Sequence, residues 1–238
     1  MSAISVRTRY DAFMRLASLS TLGVVAVACS SGGSTGGPTP PLGQSESGRA
    51  TYYAADGSGA CGFDPSPNDL DVAAMDEPEW AGSAVCGECV QVTGPKGEVT
   101  VRIVDECPGC EPGHLDLSQE AFAKIADVSA GNVPITWQVV ACAVQGPVEY
   151  HVKDGSSQWW TAIQVRNSKL PIAKLEYKTA ASAYTSVTRA DYNYFVVDTG
   201  VGPDPYTVRI TSQNGEVLED SLPAVVANAT VPGAAQFP

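Results

Sequence analysis

Two aspartates on either side of a short cysteine-containing loop are the residues best placed for acid–base chemistry. Asp105 ends the alternating segment Glu98–Val104, which predicts a β-strand. Asp116 precedes Gln119–Asp127, a predicted helix, and the loop Cys107–Cys110 lies between the two aspartates. Such a loop can bring both carboxylates into one cleft, where like charges raise one pKa, as a glycosidic general acid requires. The structural alternative is that Asp116 caps the helix and Asp105 accepts hydrogen bonds from turn amides.

Adjacent tryptophans are a second candidate site. Trp159 and Trp160 follow a Gly/Ser-containing turn and precede the predicted strand Ala162–Arg166. Neighbouring side chains of a regular strand point to opposite faces, so the two rings share a face only if they lie before the strand. Exposed neighbouring aromatic rings suit stacking on sugars, and Tyr192 is a candidate third member. The alternative is that all three are core aromatics.

The cysteines indicate an exported protein. Of the seven, Cys29 follows the apolar run Leu16–Ala28, which arginines precede. This pattern predicts a signal peptide over residues 1–29, and its end resembles the lipid-acceptor site of bacterial lipoproteins. An even set of cysteines then remains, and in an exported chain it favours disulfides over a zinc site, although two Cys-x-x-Cys spacings would also suit zinc. The set is Cys61, Cys86, Cys89, Cys107, Cys110 and Cys142.

Composition and charge exclude several classes of function. The chain has 238 residues and a formal net charge of −12, which disfavours nucleic-acid binding through phosphate contacts. A hydrophobic content of 44% disfavours a charged disordered chain. Glycine-rich nucleotide-binding motifs are absent from the sequence. His114 and His151, the only histidines, are expected in separate domains, which disfavours a Ser-His-Asp triad. We predict no metal and no cofactor.

The chain divides into a leader, a tether and two β-rich parts. Residues 30–47 are rich in Gly, Ser and Pro and predict a flexible tether. After Cys29, cysteines occur only up to Cys142, which predicts a domain boundary near residues 145–147. The last part shows short strands separated by turn residues, and Asn214-Gly215 predicts a hairpin with a type I′ turn. These patterns predict an all-β protein whose last part is a β-sandwich.

Residues 48–238 resemble the bacterial expansins. The resemblance rests on motifs that occur in the same order across both parts. They are residues 48–53 (GRATYY), 59–62 (GACG), 101–105 (VRIVD), 115–118 (LDLS), 155–167 (GSSQWWTAIQVRN) and the terminal 231–238.

The resemblance implies a six-stranded double-psi β-barrel over residues 48–144, followed by an immunoglobulin-like cellulose-binding sandwich over 147–238. It assigns Thr51, Asp105 and Asp116 to a polysaccharide-engaging groove, and Trp159, Trp160 and Tyr192 to a flat cellulose-binding platform. It also implies the disulfides Cys61–Cys86, Cys89–Cys142 and Cys107–Cys110. One departure is Cys107, which stands where cysteine-free bacterial members carry a groove tyrosine. Tyr53 is a candidate for part of that missing aromatic wall.

The implied function is non-hydrolytic loosening of plant cell walls by a protein that binds cellulose and disrupts contacts between glucan chains. Alternatives are a lytic transglycosylase or weak endoglucanase on the same barrel, or a cellulose-binding adhesin with an inert barrel. Hydrolysis is disfavoured because residues 48–53 contain no carboxylate to serve as the second catalytic group. Xyloglucan and peptidoglycan are further candidate partners. We expect an extracellular monomer, attached to a membrane only through a lipid on Cys29.

Overall fold

Two β-structures follow each other in the computed structural model, which describes residues 42–238. The expected signal peptide, Cys29 and most of the tether lie outside the described residues. The first β-structure begins earlier than expected, since strand β1 starts at Glu46 and the Leu42 N–H donates to the Val139 carbonyl over 2.8 Å. The last residues of the expected tether therefore belong to the first β-structure.

Six strands close into a barrel. They are β1 (Glu46–Tyr53), β2 (Val72–Asp76), β3 (Cys89–Gly94), β4 (Gly97–Cys107), β5 (His114–Ser118) and β6 (Val133–Val140). Their order around the barrel is β1-β5-β2-β4-β3-β6. The pairs β1–β5 and β2–β4 are parallel and the other pairs are antiparallel. The predicted six-stranded double-psi barrel is confirmed.

Two short helices accompany the barrel. Helix α1 spans Glu77–Trp80 and α2 spans Gln119–Ile125. As its position before the predicted helix indicates, Ser118 caps α2, because its Oγ accepts a hydrogen bond from the Ala121 N–H over 3.0 Å. The apolar face of α2 is completely buried in the barrel core. This packing fixes the end of β5 and therefore the position of Asp116.

Eight strands form the second β-structure, and neighbouring strands are antiparallel. They are β7 (Glu149–Val152), β8 (Thr161–Arg166), β9 (Ile172–Lys178), β10 (Thr185–Arg189), β11 (Phe195–Val197), β12 (Tyr206–Ser212), β13 (Val217–Leu222) and β14 (Thr230–Pro232). The order is β13-β12-β9-β10-β11-β8-β7-β14. The start of β10 pairs with β9 and its end with β11, so β10 joins two halves around one apolar core. The predicted β-sandwich is confirmed.

The hairpin of β12 and β13 differs from its prediction in the turn. The strands pair as the sequence predicts, with Thr211 opposite Val217. However, Gly215 has a φ of +89° whereas Asn214 is not among the residues with positive φ, so the turn is not type I′. The Gly215 N–H donates to the Ser212 carbonyl over 3.0 Å, and the Ser212 N–H donates to the Glu216 carbonyl over 2.9 Å. The loop is therefore longer than a two-residue hairpin turn.

Side chains of the second sheet bind the backbone of the barrel, and we call this contact region the seam. The buried amides of Gln164 and Asn193 both donate to the Cys61 carbonyl, over 2.8 and 3.3 Å. Arg189 Nη1 donates to two carbonyls of the barrel segment 83–84, each over 3.0 Å. These side chains connect the two β-structures through fixed polar contacts within one compact unit.

Candidate functional site

Four residues in register form a row across the outside of the barrel. Thr51 pairs with Asp116, Asp116 with Ala74, and Ala74 with Asp105. Directly opposed residues point to the same face of a sheet, and the alternate residues of β5, such as Leu115, point into the core. Because neighbouring strands lie about 4.8 Å apart, the Cα atoms of Asp105 and Asp116 are about 10 Å apart. The small side chain of Ala74 separates two carboxylates on one surface, which we call the groove.

A short hydrogen-bonded chain holds the Asp116 carboxylate. Thr51 Oγ1 donates to Asp116 Oδ1 over 2.5 Å and lies 2.9 Å from His114 Nε2. Burial lowers the pKa of His114, against the opposing charge of Asp116, so its neutral form is favoured. Since Thr51 uses its proton toward Asp116, the neutral His114 must carry its own proton on Nε2 and donate to Thr51. The chain His114–Thr51–Asp116 therefore fixes one carboxylate oxygen and leaves the other to a ligand.

Asp105 is held by backbone amides. Its Oδ1 accepts hydrogen bonds from the N–H groups of Ala60 and Glu106, over 2.7 and 2.9 Å. The loop passes so close that a Cβ on Gly59 would lie 2.5 Å from Asp105 Cγ, which requires glycine at this position. Both bonds use the same oxygen, so Oδ2 remains available as an acceptor.

Tyr53 contributes an aromatic ring with a free hydroxyl. It lies two residues after Thr51 on β1, and therefore on the same face of the strand. Its hydroxyl is buried without a hydrogen-bond partner among residues 42–238. Burial and the nearby charges of Asp105 and Asp116 raise the pKa of Tyr53, so it stays a neutral donor. Cys107, by contrast, is joined to Cys110 and offers no ring.

Three disulfides support the barrel. The pairs are Cys61–Cys86, Cys89–Cys142 and Cys107–Cys110, with Cα–Cα distances of 5.5, 5.2 and 5.5 Å. These distances are ordinary for disulfides, and the pairs are the ones that the resemblance implies. Within residues 42–238, no group of three or more His, Cys, Asp or Glu side chains is arranged to hold a metal ion.

Aromatic residues lie in two turns of the second β-structure, one just before β8 and one between β10 and β11. Trp159 is 73% exposed and Tyr192 is 41% exposed, whereas Trp160 is partly buried. Both tryptophans precede β8, and backbone hydrogen bonds between Ser157 and Trp160 close their turn. We call these three aromatic residues the platform. Gly200 packs closely against the tryptophan turn, because a Cβ there would lie 2.0 Å from the Gln158 carbonyl oxygen.

Tyr192 is distant in sequence from the tryptophan turn, and it lies at the seam. Its ring lies 5.8 Å from that of Tyr194, and the turn that carries it is closed by a hydrogen bond from the Ala190 N–H to the Tyr194 carbonyl. The barrel binds this turn at both ends. Ser83 Oγ donates to the Ala190 carbonyl over 2.9 Å, and Asn193 reaches the barrel as described above.

His114 is the groove residue that sequence reasoning missed. As one of two histidines expected in separate domains, it shows no catalytic pattern in the sequence, yet it precedes Asp116 by two residues on the same strand. Had residues 114–118 been predicted as a strand, this spacing would have placed both side chains on one face.

Among the described residues, no helix is both long and apolar enough to cross a membrane.

Comparisons with known proteins agree with this geometry. A family model described as lytic transglycolase matches residues 45–137, which contain most of the barrel. Expansin-YoaJ of Bacillus subtilis (strain 168) is 39% identical over 201 residues, covering 80% of this chain and 86% of that protein. Expansin-like protein 1 of Dictyostelium discoideum is 33% identical over 201 residues, covering 79% and 70%.

Solved structures extend the similarity to both β-structures. The apo structure of the Clavibacter michiganensis expansin has a TM-score of 0.75 at 35% identity and covers 82% of this chain and 99% of its own. A mutant of that expansin in complex with cellohexaose has a TM-score of 0.76 at 34% identity, with the same coverage. On the combined evidence of barrel, sandwich and sequence identity, this chain belongs to the bacterial expansins.

Proposed function

We propose that this protein binds cellulose through the platform and loosens contacts between glucan chains through the groove, without net hydrolysis. The observation that carries the proposal is the presence of an exposed aromatic surface and a carboxylate groove in one compact unit. The mutant Clavibacter michiganensis expansin in complex with cellohexaose supports a glucan ligand for this fold. We assign the groove to a barrel domain of residues 48–144 and the platform to a sandwich domain of residues 147–238.

The platform holds the protein on the polymer. Trp159, Trp160 and Tyr192 stack on sugar rings, an interaction that needs exposed ring area and little charge. Cellulose is neutral, so the acidic character of this chain does not oppose its binding. Xyloglucan offers the same kind of ring surface.

The groove engages a neighbouring chain by hydrogen bonds. The free oxygens of Asp105 and Asp116 accept hydrogen bonds from sugar hydroxyls, and the Tyr53 ring forms part of the aromatic wall beside them. If these groups bind a displaced chain more tightly than a packed one, binding itself shifts the equilibrium toward separation. No covalent bond to the polymer changes in this scheme.

The groove chemistry favours binding over hydrolysis. An inverting glycosidase needs an acid and a base roughly 6.5–9.5 Å apart, with the base free to activate water. In this barrel, β1 contributes Thr51 instead of a carboxylate, and Asp105 already accepts two backbone N–H bonds through one oxygen. We therefore assign Asp105 to ligand binding rather than to water activation.

The second candidate function is lytic cleavage of peptidoglycan. It is favoured by the description of the matching family model, lytic transglycolase. A lytic transglycosylase uses a hydroxyl of its own substrate as nucleophile, so that the single carboxylate of Asp116 would suffice. Anhydro-muropeptides released from peptidoglycan would reveal this activity.

The deciding experiment is extension of a clamped plant cell wall under load, with release of reducing sugar measured in the same sample. Loosening without sugar supports the proposal, and loosening with proportional sugar release indicates a glycosidase. Cellulose binding without any extension indicates an adhesin with an inert barrel.

Export of the protein, with a lipid on Cys29, is a separate proposal. Labelling with palmitate should occur in the full chain and disappear in Cys29→Ser. Recovery of an unlabelled chain from the medium would instead indicate secretion.

A further inference from the structure

A cleft of about 440 Å³ lies between the barrel and the second sheet. Its lining shares no residue with the groove or the platform. Phe63, Asp69 and Arg102 line it from the barrel, whereas Arg166 and Ile172 line it from the second sheet. The volume lies within the range of roughly 300–1,000 Å³ that is typical of small-molecule sites.

Arg102 is the unusual group in this cleft. Its guanidinium lies 5.0 Å from the centroid of the Phe63 ring. Among residues 42–238, however, no side chain or carbonyl accepts a hydrogen bond from its guanidinium. Burial lowers the pKa of Arg102, against the opposing charge of Asp69, so the cation is poorly compensated. A guanidinium has five N–H donors, and those of Arg102 are left for solvent or for a ligand.

The second arginine of the cleft, Arg166, differs because its guanidinium already has hydrogen-bond partners within the protein. Arg166 Nη1 binds Asp64 Oδ2 over 2.6 Å, and its Nε donates to Gln164 Oε1 over 2.6 Å. A ligand that brings an acceptor therefore gains most from Arg102, whose planar fork suits a carboxylate in a bidentate arrangement.

The remaining lining residues restrict the ligand. The acidic residues Asp64, Asp69 and Glu149 line the cleft together with two arginines, so a ligand with several negative charges would be repelled. A neutral sugar offers Arg102 hydroxyl oxygens as acceptors but no opposite charge. A sugar with one carboxylate satisfies Arg102, and its hydroxyls can donate to Asp69 and Glu149. Apolar residues such as Ile172 provide a wall for a sugar ring.

We propose that this cleft is a second glycan site that binds a hexuronic acid residue, with Arg102 holding the carboxylate. The site requires neither the platform nor the groove, so it stands independently of wall loosening. Because the chain carries a net charge of −12, glycans with isolated uronic acids suit it better than a polyuronate.

The test is a titration of the full chain with glucuronic acid, galacturonic acid and their neutral methyl esters, followed by NMR. We expect either free acid to shift the resonances of cleft residues in a saturable manner, and the esters to have at least tenfold weaker affinity. Binding of ester and acid with equal affinity, or binding of neither acid, would overturn the proposal. This comparison needs no variant and is therefore unaffected by a change in folding.

Two variants of equal charge sharpen the test. Arg102→Gln should weaken binding of the acid about tenfold to a hundredfold, because hydrogen bonds to charged groups contribute about 1.5–3 kcal/mol. Lys96→Gln, which removes an exposed cation of the barrel outside the cleft, should leave it unchanged. Cellulose binding should be the same in both variants. If both weakened uronate binding equally, general charge attraction would explain the result and the site would be refuted.

Discussion

The barrel should contribute to cellulose affinity by holding Tyr192 in place, although Tyr192 belongs to the other β-structure. The clamp consists of the Ser83 hydroxyl and the Asn193 amide, which bind the two ends of the Tyr192 turn. Asn193 has a φ of +63°, so Asn193→Gly removes the amide and keeps the backbone conformation. Ser83→Ala removes the other bond with little change in volume.

The size of the effect has an upper limit. A neutral hydrogen bond contributes about 1 kcal/mol, so removing both weakens the attachment of the turn by about 2 kcal/mol, while Arg189 still binds the barrel segment 83–84. Stacking of Tyr192 on a sugar is worth about 1 kcal/mol, by analogy with aromatic pairs, which corresponds to about fivefold in affinity. The double variant should therefore bind cellulose up to about fivefold more weakly, as Tyr192→Ala does.

A double-mutant cycle on cellulose binding isotherms tests this coupling. The clamp variant should have no further effect when Tyr192→Ala is already present, because the ring that it positions is gone. Asn228→Gly is the matched control, since Asn228 also has a positive φ, of +61°, but is exposed and lies outside the seam. An equal loss of affinity in the Tyr192→Ala background, or no loss in either, would refute the positioning role.

Three further predictions concern single features. Burial raises the pKa of Glu88 to about 7, so the folded chain binds the extra proton between pH 4.5 and 7 and gains stability as the pH falls. Thermal unfolding should show this gain, at most about 3 kcal/mol, as the difference between the wild type and Glu88→Gln, because Glu79, whose pKa burial also raises to about 7, is present in both. Gly200→Ala should move the tryptophan turn, because its Cβ would overlap the Gln158 carbonyl, and tryptophan fluorescence should change while β-sheet circular dichroism does not. Replacing Trp159, Trp160 and Tyr192 together by Ala should weaken cellulose binding about a hundredfold, at about 1 kcal/mol per ring, and an unchanged isotherm would exclude the platform.

Local patterns in the sequence predicted those elements whose signal is local. The alternation in Glu98–Val104 identified β4, and Ser118 identified the start of α2. Strand β2 was missed because all five of its residues are buried, which leaves no alternation to detect. The β12–β13 hairpin was found, but its turn type was wrong because the extra loop residues place the positive φ on Gly215 alone.

The arrangement of the site could be predicted only in part. Motifs that resemble expansins named the groove and platform residues, but not their contacts. The row from Thr51 to Asp105 depends on pairing between strands distant in sequence, with Thr51 and Asp116 separated by 65 residues. Arg102 looks like an ordinary strand residue, and its lack of an acceptor becomes visible only when the second sheet packs beside the barrel.

The central claim is that the groove loosens glucan contacts by binding rather than by bond cleavage. Asp116→Asn tests it most directly, because it removes the carboxylate that Thr51 holds and hardly changes the volume of the side chain. The measurement is extension of a clamped plant cell wall, with reducing sugar and cellulose binding determined on the same preparation. We predict that the variant loses extension, keeps cellulose binding within about twofold because stacking supplies that affinity, and releases no sugar, as the wild type releases none. Full extension by Asp116→Asn, or sugar release by the wild type that the variant abolishes, would contradict the account.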